Sequence, residues 1–168
     1  MKKIIIAVAF MLGVSAVNAQ SFGEGTKVVQ VGATIGGDFG LPLSASFEYG
    51  VSDKIGVGAY VGYASREFNT GYSAADYKVT YTLFGARGNY HFYTEDKFDA
   101  YAGVLLGYNS ATVTYTNGGS NVFGTPSYGG SVFGGQIGGR YYFTDSIGAF
   151  AELGYGIGYL NVGLAYKF

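Results

Sequence analysis

The chain has 168 residues, of which 30 are glycine, 17 tyrosine and 13 phenylalanine, with no tryptophan, no cysteine and only two prolines. Charged residues make up 12%, about half the share usual in a soluble domain, and ten basic against eleven acidic side chains leave a net charge of −1. That balance argues against nucleic-acid binding and against electrostatic attachment to anionic lipid. The lack of cysteine excludes a disulfide scaffold, and a glycine- and aromatic-rich composition with little proline points to a sheet protein rather than long helices.

The chain opens with Met1, Lys2 and Lys3, an apolar run from Ile4 to Val14, and small side chains around Ala19. This is the pattern of a secretory signal peptide over residues 1–19, too short to span a bilayer as a helix. The mature chain then starts at Gln20 and keeps 149 residues, 168 minus 19, as one domain over 20–168.

Eight segments alternate at a period of two, the spacing that sends successive side chains to opposite faces of a strand. They are predicted at Lys27–Gly36, Ser44–Val51, Ile55–Arg66, Tyr77–Phe92, Phe98–Tyr115, Ser131–Phe143, Ile147–Tyr155 and Tyr159–Phe168. One alternate set is apolar or glycine, as in Ile55, Val57, Ala59, Val61 and Tyr63; the other holds the charges Glu48, Arg87, Asp99, Arg140 and Glu152. A soluble core would have the opposite arrangement. A greasy face can point outward only if it meets lipid, and hydrocarbon offers no water to unpaired amides, so the sheet must close on itself.

Connectors alternate in length. Brief turns at Ser52–Lys54, Thr94–Lys97 and Thr144–Ser146 alternate with wider loops at Gly37–Leu43, Glu67–Asp76 and Thr116–Gly130, which hold both prolines, Pro42 and Pro126. This rhythm is that of an up-and-down barrel with its short turns in the periplasm. The tight connection near Gly156–Gly158 fits the scheme least well. Tyr49, Tyr90, Phe92, Phe98, Tyr141, Phe143, Tyr166 and Phe168 fall at the short-turn ends on the apolar parity, and Tyr63, Tyr108 and Tyr155 near the other ends, as two headgroup-level belts would require.

The expected fold is therefore an eight-stranded antiparallel up-and-down transmembrane β-barrel. With its signal peptide, its alternating strands and the closing run Leu160–Phe168, the mature chain resembles the small OmpA/OmpX-type outer-membrane barrels. The resemblance implies residence in the cell outer membrane and recognition of the last strand by the barrel assembly machinery, with Tyr166 and Phe168 as the assembly signal. It also implies that the peptidoglycan-binding portion of longer relatives is absent. For activity it implies little, since adhesins and structural proteins share the fold.

Glu48, Arg87, Arg140 and Glu152 share the inward parity and are expected to form an interior polar network, because an eight-strand lumen is filled by side chains and an unpaired charge there is costly. Asp99, His91 and Lys167 are placed nearer the periplasmic rim. Large inward Tyr60, Tyr101 and Tyr142 beside inward Gly56, Gly58, Gly62, Gly134 and Gly138 suit a tightly filled cylinder. His91 reads as a hydrogen-bonded structural residue, since nothing supplies a serine with a carboxylate behind it. No catalytic residue, metal site or cofactor is expected; the glycine-rich runs at Gly23–Lys27 and Gly134–Gly139 lack the strand-to-helix setting of a phosphate cradle.

The outer loops, rich in Asn, Ser, Thr, Gly and Tyr, suit contact with host or neighbouring-cell surface molecules. The sequence thus points to a non-enzymatic outer-membrane protein with a structural or surface-contact role. Three other readings compete: a small, poorly conducting channel, an outer-membrane lipid-modifying enzyme, and a soluble periplasmic ligand-binding barrel.

Overall fold

Val, Ile, Tyr and Phe alternating with glycine and polar residues cannot gather one apolar face at 3.6 residues per turn, but they do so at two. The computed structural model describes residues 21–36, 42–68, 76–115, 127–155 and 158–168, which form eight strands and no helix. These are β1 (Lys27–Ile35), β2 (Leu43–Gly50), β3 (Ile55–Phe68), β4 (Tyr77–Thr94), β5 (Phe98–Tyr115), β6 (Ser127–Tyr142), β7 (Ile147–Tyr155) and β8 (Leu160–Lys167). Each strand pairs antiparallel with its sequence neighbours, and β8 returns to β1 to close the barrel. At the seam Val28 lies opposite Lys167 and Ile35 opposite Leu160. Beyond β8, Phe168 N and Lys27 N each donate to the other's carbonyl, at 3.0 and 3.3 Å.

Three strands run longer than their alternation indicated. β3 continues to Phe68 and β6 begins at Ser127, because Phe68 still faces Tyr77 on β4 and Ser127 still faces Thr112 on β5. Backbone pairing does not require the apolar alternation that lipid demands, so polar strand ends escape a pattern search. β4 reaches Thr94 through a bulge between His91 and Tyr93, which leaves Phe92 and Tyr93 both exposed.

The expected brief turns are present: Val51 N donates to Ile55 O, Glu95 N to Phe98 O and Phe143 N to Ile147 O, each at 2.8 Å. Gly154 N donates to Tyr159 O at 3.0 Å and fastens the β7–β8 connection. Of the two prolines, Pro42 is buried and its carbonyl accepts from Thr34 N at 2.8 Å. Pro126, the signal segment and the greater part of the wide loops lie outside the described residues.

Val57, Val61, Val104, Leu106, Ile137 and Leu153 point outward and are exposed, while their strand neighbours face the lumen. Tyr90, Phe92, Phe98, Tyr141 and Phe143 are exposed at the short-turn end, and Tyr63, Tyr108 and Tyr155 toward the other. Apolar exposure this continuous needs a covering medium. The lumen is packed by aromatic and aliphatic side chains as well as polar ones: Tyr60, Leu83 and Leu105 form one cluster, with Val132 against it, and Val28, Phe150 and Ala165 another. Gly32 on β1 makes room for Phe150, whose Cζ would lie 2.7 Å from any Cβ added there.

Candidate functional site: the polar lumen

Because β4 alternates, Arg87, Asn89 and His91 project on one face at steps of two and present three polar groups along one lumen wall. Asp99 and Tyr101 descend β5 beside them, Arg140 comes from β6, Glu152 from β7, and Glu48 with Ser46 from β2. All nine of these side chains are buried. The four network residues expected from parity are brought together as two ion pairs. Arg87 Nη2 lies 2.6 Å from Glu152 Oε1, and Arg140 Nη2 donates to Glu48 Oε2.

The pairs belong to a larger array. Arg140 also donates from Nη1 to Asp99 Oδ2 at 3.1 Å and lies 4.3 Å above the Tyr101 ring. Tyr101 Oη donates to Glu152 Oε1 at 2.7 Å, and Asn89 Nδ2 to Glu48 Oε1 at 2.7 Å. Gln30 Oε1 accepts from Arg140 Nη2 and from the Ser46 hydroxyl, both at 3.2 Å, so β1 joins the two charge centres. On β3, Gly56 leaves the space that Glu48 fills: a Cβ there would sit 2.7 Å from the Glu48 Cδ. Gly138 does the same for Tyr101, whose Cζ would be 3.0 Å away.

His91 and Asp99 lie toward the short-turn end, as the sequence suggested, and are at the same time full members of this array, with exposures of 1% and 0%. His91 Nδ1 lies 2.7 Å from Asp99 Oδ1 and Nε2 lies 3.0 Å from Glu48 Oε1. Ionised carboxylates only accept, so both contacts are hydrogen bonds when the ring is the doubly protonated imidazolium. The charge count agrees. Glu48, Asp99 and Glu152 contribute three negative charges, Arg87 and Arg140 two positive ones, and the imidazolium balances the sum. Lys167 stays near the rim, its Nζ 4.9 Å from the Tyr142 ring centroid.

Among the described residues, Arg87 Nε, Arg140 Nε, Thr34 Oγ1 and Tyr142 Oη are buried without a hydrogen-bond partner. A cavity of about 50 Å³ lies over the Arg87–Glu152 pair, bounded by Thr34, Tyr60, Leu105, Gln136 and Asn161. One water needs at least roughly 10–15 Å³, so the cavity is large enough to admit water beside the ion pair. Alternation marks Tyr101 as inward and could have flagged Gln30, Ser46 and Asn89 in the same way, but nothing in the sequence gives their heights within the cylinder.

Tyr166 and Phe168, the expected assembly signal, lie at the closing strand with ring centroids 5.8 Å apart. Tyr166 stands opposite Val29 on β1 and Ile147 on β7.

No family model matches the sequence, and no curated protein matches it. Solved structures do. The N-terminal β-barrel domain of Pseudomonas aeruginosa OprF superposes with a TM-score of 0.66 at 17% identity, over 87% of this chain and 99% of that one. OprG of the same organism gives 0.64 at 13% identity, over 88% and 97%. Ail, the attachment invasion locus protein of Yersinia pestis, gives 0.60 at 16% identity, over 86% and 99%, in its complex with the heparin analogue sucrose octasulfate. The fold is therefore that of the OmpA/OmpX-type eight-stranded outer-membrane barrels.

Proposed function

We propose that this chain is an integral outer-membrane barrel, exported by residues 1–19, that serves the cell envelope as a non-enzymatic structural or surface-contact protein. The observation that carries this reading is the filled lumen. Charged and polar side chains from β1, β2 and β4 to β8 are knitted across the cylinder, while the outer wall is apolar between two sets of aromatic rings. A barrel so filled offers its loops to the surroundings rather than a wide pore. Support for surface contact comes from the fold it shares with Ail, a protein described by attachment and by a bound heparin analogue.

The orientation follows from export. The short turns lie in the periplasm, the wide loops outside, and Tyr166 with Phe168 is read by the barrel assembly machinery. The test is direct: the protein partitions with the outer membrane, shows heat-modifiable gel mobility, and yields no sustained conductance in a planar bilayer. Well-defined channels from purified protein would replace this reading with that of a small porin. A deletion strain that loses surface adhesion with its envelope intact assigns the role to the loops.

A further inference from the structure

Phe22 lies outside every strand, yet its side chain has no exposed surface. It precedes β1 in a segment that folds back over the short-turn mouth. At one side of that mouth, Ser21 N donates to Glu95 O at 3.3 Å and the Ser21 hydroxyl to Phe98 O at 2.9 Å. At the other, Gly25 N donates to Gly50 O and Gly50 N to Thr26 O, both at 2.8 Å. Between these anchors the Phe22 ring lies flat on the His91 imidazole, with centroids 3.4 Å apart and planes 5° from parallel. Gly50 makes the approach possible, since a Cβ there would meet Phe22 Cζ at 3.2 Å and crowd the Gly23 carbonyl.

We infer that Ser21–Thr26 is a stopper for the short-turn end of the lumen, with Phe22 sealing the His91, Glu48, Asp99 and Arg140 cluster from water. An aromatic face over a ring that two carboxylates hold as a cation is an attractive contact, strongest when water is excluded. The stopper is anchored by a few hydrogen bonds and one ring stack rather than by a barrel strand, so it can leave while the wall stays closed. Any path through the lumen must pass it. It therefore stands in series with the Arg87–Glu152 and Arg140–Glu48 pairs as a separate closure.

His91 is the only histidine in the chain, so its carbethoxylation by diethylpyrocarbonate, read by peptide mass spectrometry, reports on the seal. In detergent-folded protein His91 is expected to react at least about tenfold more slowly than in the heat-unfolded chain, as for a group exposed only by local opening. Phe22→Ala is expected to raise the rate several-fold over native while leaving it below the unfolded value, because Glu48 and Asp99 still hold both ring nitrogens, and Phe143→Ala, an outward ring at the same end, to leave it native. Should Phe22→Ala not give the folded band, Gly50→Val replaces it, because its side chain fills the place of Phe22 and Gly23. The inference is overturned if native His91 reacts like the unfolded chain, if the folded stopper variant stays as slow as native, or if Phe143→Ala accelerates the reaction equally.

Discussion

Arg140 shows how one residue can fix a buried site. It holds Glu48 and Asp99 at once, covers the Tyr101 ring and donates to Gln30, all without solvent exposure. Removing a single partner from such an array leaves charges stranded, whereas removing both members of a pair does not. Arg140→Met is therefore expected to destabilise the folded barrel by about 3–5 kcal/mol, measured by denaturant unfolding in lipid vesicles. The double variant Arg87→Met with Glu152→Leu should cost less than the sum of its singles. A strictly additive cycle would mean that these two groups, 2.6 Å apart, do not interact.

At the level of elements, each strand serves two environments through its alternation, and the cost of an error depends on the face. On β5, Val104 points outward and is half exposed, while its neighbour Leu105 is buried in the lumen cluster. Val104→Arg places a cation in the apolar band and is expected to cost about 2–4 kcal/mol of folding free energy. The same change at Phe143, which pairs into the β6–β7 turn, should cost about 0–1 kcal/mol, because that position lies at headgroup depth. Equal costs in parallel vesicle refolding experiments would show that the aromatic belts do not mark the interfaces. The β4 bulge belongs to this scale as well. One extra residue at Phe92 turns two aromatic rings toward the same belt without disturbing His91 on the inner face.

For the whole molecule, closure is the decisive event, since an open edge leaves a row of unsatisfied amides that a bilayer cannot solvate. The closing contacts join residues from the two ends of the described chain: Lys27 with Phe168, and Val29 with Tyr166. Such pairing has large sequence separation and is slow to form unaided. Deleting Phe168 is therefore expected to lower the yield of the heat-modifiable folded form in cells. If that deletion impairs assembly in cells while purified chain still refolds into vesicles, the residue acts as a signal to the machinery. Impairment in both settings would make it a structural clasp alone.

The period of two, the outward apolar set, the eight strands and the inward parity of Glu48, Arg87, Arg140 and Glu152 are all legible along the chain. Those properties are local, set residue by residue by strand geometry and by the demand of hydrocarbon for an apolar surface. Which charges meet is settled by the folded barrel. Glu48 and Arg140 are 92 positions apart, and their contact depends on strand register and on closure of the barrel. Parity says that a side chain points inward but not at what height. For that reason the contacts of His91 with Asp99 and Glu48 went unforeseen, and Phe22, which obeys no strand period, gave no sign that it would close the cylinder.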